Sequence, residues 1–169
     1  SYINEIKNPQ ILVAGCGTGQ HSIGTAVSFK DCDVLAIDLS LSSLAYAKRK
    51  TEELGISNIE YMQADILDLG ALNRQFDIIE SGGVLHHMDD PMAGWEVLVG
   101  CLKAGGLMKI GLYSELARSH IVQMRHEIQQ SNIGSSNDAV KSFRRMMVSS
   151  KEEHHNMEVL SPDFYSMST

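Results

Sequence analysis

The 169-residue chain has little cysteine, no long apolar run, no excess of basic charge and no internal repeat, and each shortage removes a class of protein. Cys16, Cys32 and Cys101 are odd in number, far apart and in no C-x-x-C pair, so neither a disulfide framework nor a zinc knuckle is written into the chain. A reducing cytoplasm is the compartment that fits. No stretch approaches the roughly 18 apolar residues of a membrane span, and Ser1 to Gln10 is polar, without the apolar core of a signal peptide. With 14 Lys and Arg against 21 Asp and Glu, a net charge of -7, the surface is not suited to neutralising phosphates, and nucleic acid is disfavoured as a partner. A chain that opens on Ser1 instead of Met is expected to be a piece of something longer.

What is present is an ordinary globular composition, 43% hydrophobic and 21% charged. A compact chain of this size buries about 70% of its unfolded surface, enough for one layered core. Short apolar runs alternate with helix-period segments, the pattern of βα units around a parallel sheet. Strands are expected at Ile11 to Ala14, Asp33 to Leu39, Ile59 to Ile66, Phe76 to Ser81 and Leu107 to Tyr113. Between them lie a helix with Ile23, Ala26 and Val27 on one side, one capped by Ser40 with Leu44, Ala47, Thr51 and Leu54 inward, and one opened by Asp90-Pro91 with Met92, Trp95, Leu98, Val99 and Leu102 at helical spacing. From Ser114 the reading is helical, with Ala117, Ile121, Met124 and Ile128 on one stripe and Ala139, Val140, Phe143, Met146 and Met147 on another, after a linker at 131–137. The last 19 residues show no period.

In an open parallel sheet, ligands bind outside the carboxyl ends of the strands, where strand order reverses. Those ends carry Gly15-Cys16-Gly17-Thr18-Gly19, then Asp38, then Asp65, then Glu80 to Gly83. Glycine lets backbone approach a ligand closely and adopt positive φ. Asp38 is placed for both oxygens to accept from the vicinal hydroxyls of a ribose, and Asp65 offers acceptors to an adenine amine. A nicotinamide fingerprint would need Gly at position 20, which is Gln20, and no Walker pattern occurs. Cys16 is read as a small filler between glycines, since no partner arrangement would activate it.

The segments ILVAGCGTG, VLAIDLS, YMQADILDL, FDIIESGGVLHHMDDP and LKAGGLMKIGLY resemble those of class I S-adenosylmethionine-dependent methyltransferases. The resemblance implies a Rossmann-like α/β three-layer sandwich, sheet order 3-2-1-4-5, and methyl transfer from S-adenosyl-L-methionine to a small or medium-sized acceptor, leaving S-adenosyl-L-homocysteine. It implies the methionyl end over Ala14, Gly15, Cys16 and Gly17, with Gly15, Gly17 and Gly19 giving close approach. The ribose falls to Asp38, the adenine to Leu39, Asp65 and Ile66, and the sulfonium to Glu80, Ser81 and Gly82. No metal is implied.

Three departures stand out. The acidic residue that most members carry two positions before the first motif glycine is Val13 here. Five strands are counted, whereas the family has seven, the last two an antiparallel hairpin. Residues 1–113 are therefore read as the cofactor-binding core and 114–169 as a lid or insertion in a truncated chain. The loop after strand four is also not of the Asn-Pro-Pro-Tyr type, which disfavours amines of bases as acceptors. More loosely, ILVAGCGTGQ and the tail look like bacterial methyltransferase domains that follow tetratricopeptide repeats, so such a region is an expected neighbour.

His86 and His87 are the candidate catalytic bases, weighed against a role in shaping the loop. His154 and His155, beside Glu152 and Glu153, are read as solvated. Two other functions compete: a non-catalytic module that binds the same cofactor, and a nicotinamide oxidoreductase.

Overall fold

The computed structural model describes residues 6–29, 31–114 and 116–160. The expectations for residues 1–5, 30, 115 and 161–169 lie outside it. The described residues fall into two compact units that divide between Leu112 and Tyr113.

In the first unit five parallel strands form one sheet: β1 (Gln10–Ala14), β2 (Asp33–Asp38), β3 (Ile59–Gln63), β4 (Phe76–Gly82) and β5 (Leu102–Gly111). Their order is β3-β2-β1-β4-β5, as the resemblance implied. Reversal beside β1 opens the crevice between β1 and β4. The helices α1 (Gln20–Ser28), α2 (Leu41–Glu53) and α3 (Pro91–Gly100) connect the strands. Since β1 and β2 are apolar on both sides, each face carries a core. Ile11, Val13, Val34 and Ala36 pack with Ala26 and Leu44 on one face. Leu12, Ala14, Leu35, Ile37 and Ile79 pack with Leu85 and Leu98 on the other. That is the layering of a doubly wound fold.

Several local expectations need correction. α1 turns Ser22, Thr25 and Ala26 inward and leaves Val27 exposed. Its buried hydroxyls are satisfied, Ser22 Oγ donating to the Gly19 carbonyl at 3.0 Å, so a polar inner face carries no penalty here. α2 buries Leu44, Ala47 and Thr51, but Leu54 lies past its last turn and is exposed. α3 packs through Gly94 and Leu98, four residues apart, while Met92 and Val99 face outward. A Cβ on Gly94 would stand 2.6 Å from Met88 Sδ, so this helix approaches its neighbour over a glycine. β3 stops at Gln63, and Asp65 caps a 3-10 helix, Ile66–Leu72. β5 starts earlier than expected: Leu102 pairs with Phe76, and Lys103 to Gly106 bulge out before Leu107 pairs with Ile78.

At the opposite end of the sheet from the crevice, the Asp77 carboxylate is buried. It accepts from the Gln10 amide at 2.9 Å and from Lys103 Nζ at 2.8 Å, fastening β1 and β5 to β4. All three cysteines are free and buried.

In the second unit, α4 (Ser119–Gln130), α5 (Asn137–Ser149) and α6 (Glu153–Val159) pack around Met124 and Met147, with Ile121, Phe143 and Val159 at the margin. Helix begins only at Ser119, so Ala117 lies in a turn, while Val140 and Met146 are exposed. α6 had no periodic signal in the sequence, because seven residues span barely two turns. No helix among the described residues is long and apolar enough to cross a membrane.

Candidate functional site

The corner after β1 is held by β2. The amides of Gly15 and Cys16 both donate to the Ile37 carbonyl at 2.9 Å, and the Gly17 amide donates to Asp38 Oδ2 at 2.8 Å. Asp38 Oδ1 accepts from the Ser40 amide at 2.9 Å. Each Asp38 oxygen therefore already holds one backbone donor, and a carboxylate has about four acceptor sites, so one remains on each. The residue ties the loop and faces the crevice together, instead of being reserved for a ligand as the sequence suggested.

Gly15 has φ +80°, and a Cβ there would lie 2.2 Å from Val84 Cγ2. Only glycine fits between that side chain and the corner. Gly19, at φ +88°, is pressed against Ala47 in the same way, with 2.6 Å to its Cβ, which brings the start of α1 down onto α2.

Two cavities meet at Gly15. One, of about 520 Å³, is lined by Asp38, Leu39, Asp65, Ile66, Val84 and His87 as well as Gly15. The other, of about 750 Å³, is lined by Gly15, Cys16, Gly17, His21, Thr25, Glu80 and Gly82. The carboxyl ends of three strands and the 3-10 turn after β3 thus surround one glycine. Asp65 uses Oδ1 to cap that turn, accepting from Leu67 N at 2.9 Å.

Glu80 dominates the second cavity. Its Oε2 accepts from Thr25 Oγ1 at 2.6 Å and lies 3.1 Å from His21 Nε2, while Lys109 Nζ is 3.9 Å from Oε1; the side chain is 11% exposed. Burial, and then the charge of Asp38, push the Cys16 thiol up to about 11. It stays a protonated thiol at neutral pH, poorly suited to act as a nucleophile.

Four residues expected at the site line neither cavity: Ala14, Ser81, Gly19 and His86. Ala14 and Ser81 are buried. His86 stands against His87 with ring centroids 4.2 Å apart, and His87 is the one that reaches the crevice. His21 and Thr25 were missed. They lie four apart on α1, one turn after the glycines, and that spacing was the available signal.

The fold and crevice define a Rossmann-like protein with room for an adenosine bearing a charged tail. Residues 11–106 match the family described as methyltransferase domain, and the chain belongs to that family. It is 36% identical over 125 residues to an uncharacterized protein of Synechococcus sp., covering 73% of this chain and 30% of that one. It is 29% identical to the ubiquinone biosynthesis O-methyltransferase of Acinetobacter baylyi over 102 residues, covering 60% and 42%. The chain thus spans less than half the length of these relatives.

Among solved structures, an S-adenosylmethionine-dependent methyltransferase from Clostridium acetobutylicum superposes with a TM-score of 0.61 at 26% identity, covering 71% of this chain and 49% of that one. PKMT2 from Rickettsia typhi, in complex with AdoHcy, superposes with a TM-score of 0.68 at 21% identity, covering 83% and 28%. The cofactor is S-adenosyl-L-methionine, and the crevice has room for it, because cavities of about 520 and 750 Å³ meet at Gly15 and are lined by the Asp38, Asp65 and Glu80 carboxylates.

Proposed function

We propose that the chain transfers the methyl group of S-adenosyl-L-methionine to a small or medium-sized acceptor. The observation that carries this reading is that Gly15 lines two cavities at once, one bearing Asp38 and Asp65 and the other bearing Glu80. In this reading Asp38 accepts from the ribose hydroxyls. Leu39 and Ile66 cover the adenine, with Asp65 beside its amine. The second cavity takes the amino-acid tail, whose ammonium is matched by the Glu80 carboxylate.

The cofactor supplies a methyl group on a positively charged sulfur, so the leaving group is already activated and alignment does most of the remaining work. Asp38 and Glu80 would hold the cofactor, which would supply an electrophilic methyl carbon to the acceptor's lone pair. Where the acceptor atom carries a proton, His87 is the candidate base that removes it. His86 supports it through the ring contact.

A second reading, a module that binds the cofactor without turnover, is favoured by Val13, which leaves β1 without a carboxylate at the corner. The fold also serves a [4+2]-cyclase, SpnF, at a TM-score of 0.58 and 24% identity, so the reaction has to be argued from the site.

Calorimetric titration with S-adenosyl-L-homocysteine and with NADH tests the nucleotide. Transfer of labelled methyl to a panel of hydroxyl, amine and thiol acceptors tests the reaction. Binding of S-adenosyl-L-homocysteine with transfer to one acceptor class is expected. Binding with no transfer to any of them favours the second reading, and preference for NADH overturns both.

A further inference from the structure

We propose that Glu127, His154 and His155 form a binding site for a divalent transition-metal ion of the zinc class, which staples α6 to α4. The site lies within the helical unit and is independent of the methyl-transfer reading.

The three side chains converge although Glu127 is on α4 and the histidines open α6. Glu127 Oε2 is 2.6 Å from His155 Nε2 and 3.3 Å from His154 Nε2, and one ligand atom from each residue lies within 4.8 Å of the others. Neighbouring residues on a helix point about 100° apart, yet here both imidazoles turn to the same oxygen. Two imidazoles and one carboxylate are the donor set that suits zinc and its neighbours in the periodic table, with a fourth position left for water. Ligands around tetrahedral zinc, with bonds near 2.0–2.1 Å, stand about 3.3 Å apart. The longer contact is already there, and the shorter one needs only a small side-chain rotation to open.

A second feature points the same way. His155 is 2% exposed, and its far nitrogen, Nδ1, is 2.8 Å from Ser150 Oγ. Metal-bound histidines are held by such a partner on the other ring nitrogen, which fixes tautomer and orientation. With Nδ1–H donating to Ser150, Nε2 presents a lone pair to the Glu127 oxygen. In that tautomer the Nε2 lone pair is free for a cation once the 2.6 Å contact to Glu127 opens. Without metal, the other tautomer places a proton there.

The unit also has a use for a staple. Its described residues bury only Met124 and Met147 as apolar core, and small units with thin cores commonly rely on a metal or another cross-link. Glu127 and His154 remain partly exposed, with side-chain exposures of 32% and 20%, which gives an ion a way in from solvent.

The test uses the full chain, free of any affinity tag. Zn(II) calorimetry should give one equivalent bound with a dissociation constant on the order of micromolar or tighter, and Co(II) should give visible bands of a tetrahedral site. Zinc should raise the unfolding temperature. His155 is buried, and replacing it could unfold the unit, so the variants are His154→Asn and Glu127→Gln, whose circular dichroism without metal should match wild type. Each should weaken zinc binding by at least about tenfold. Binding of less than about half an equivalent, or affinity unchanged in the double variant, overturns the proposal.

Discussion

Glu80 on β4 stands in register with Val13 on β1, so the carboxylate at the glycine corner is delivered by the neighbouring strand. Paired residues of a parallel sheet project to the same face, and Val13 leaves the space that Glu80 uses to reach Thr25 and His21. A hydrogen bond to a charged group contributes about 1.5–3 kcal/mol. Glu80→Gln is therefore expected to weaken S-adenosyl-L-homocysteine binding by about tenfold or more by calorimetry. Methylthioadenosine lacks the amino-acid tail, and its affinity should not change. An equal loss for both ligands would remove Glu80 from the tail.

Asp38→Ala should weaken S-adenosyl-L-homocysteine by at least about tenfold, again on the scale of a charged hydrogen bond. It should also lower stability by roughly 1 kcal/mol, because the amides of Gly17 and Ser40 lose their acceptor. Cys16→Ala, in the same loop, should leave affinity unchanged, and the wild-type thiol should resist alkylation at pH 8, well below its raised value of about 11. Equal affinity for Asp38→Ala and wild type would remove Asp38 from the ribose.

Gly15→Ala combines an unfavourable φ with a Cβ only 2.2 Å from Val84 Cγ2. Strain and overpacking of this kind each cost about 1–3 kcal/mol, and the midpoint in urea should fall accordingly. Adding Val84→Ala removes the 2.2 Å and 3.0 Å contacts, leaving only the 3.1 Å approach to the Val84 Cβ, but not the backbone strain, so it should restore part of the loss. Full restoration would mean that φ carries no cost here.

Acid should loosen the base of the sheet. Burial of Asp77 works against its charge, but Lys103 and the Gln10 amide outweigh it, and its carboxyl lies below the usual range. The unfolded chain therefore binds this proton more readily than the folded one. The stabilisation is complete above the ordinary Asp value near 3.9 and is lost as pH falls below it through the depressed value. Urea unfolding from pH 6 down to pH 3 should show this decline, and Asp77→Asn should flatten it.

Much of the first unit was legible because its signals are local. Apolar runs ending in Gly15 and Asp38, Ser40 before α2 and Asp90-Pro91 before α3 each act through neighbours a few residues away. The errors fell where packing decides. Val27 and Met92 have helical spacing but lie on the outer faces of α1 and α3, since α1 approaches the sheet over Ser22 and Thr25 and α3 over Gly94. Periodicity finds an apolar stripe, but it cannot say how closely a helix approaches.

By itself the sequence determined the alternation of strand and helix, the glycine corner and the acids at the strand ends, because backbone preference and short-range capping depend on adjacent residues. Only the tertiary structure decided that Glu80 meets Thr25, 55 positions earlier in the chain, and that Glu127 meets His155, 28 positions later. Such contacts depend on how separate elements pack, and no local pattern encodes which side chains that packing brings within bonding distance.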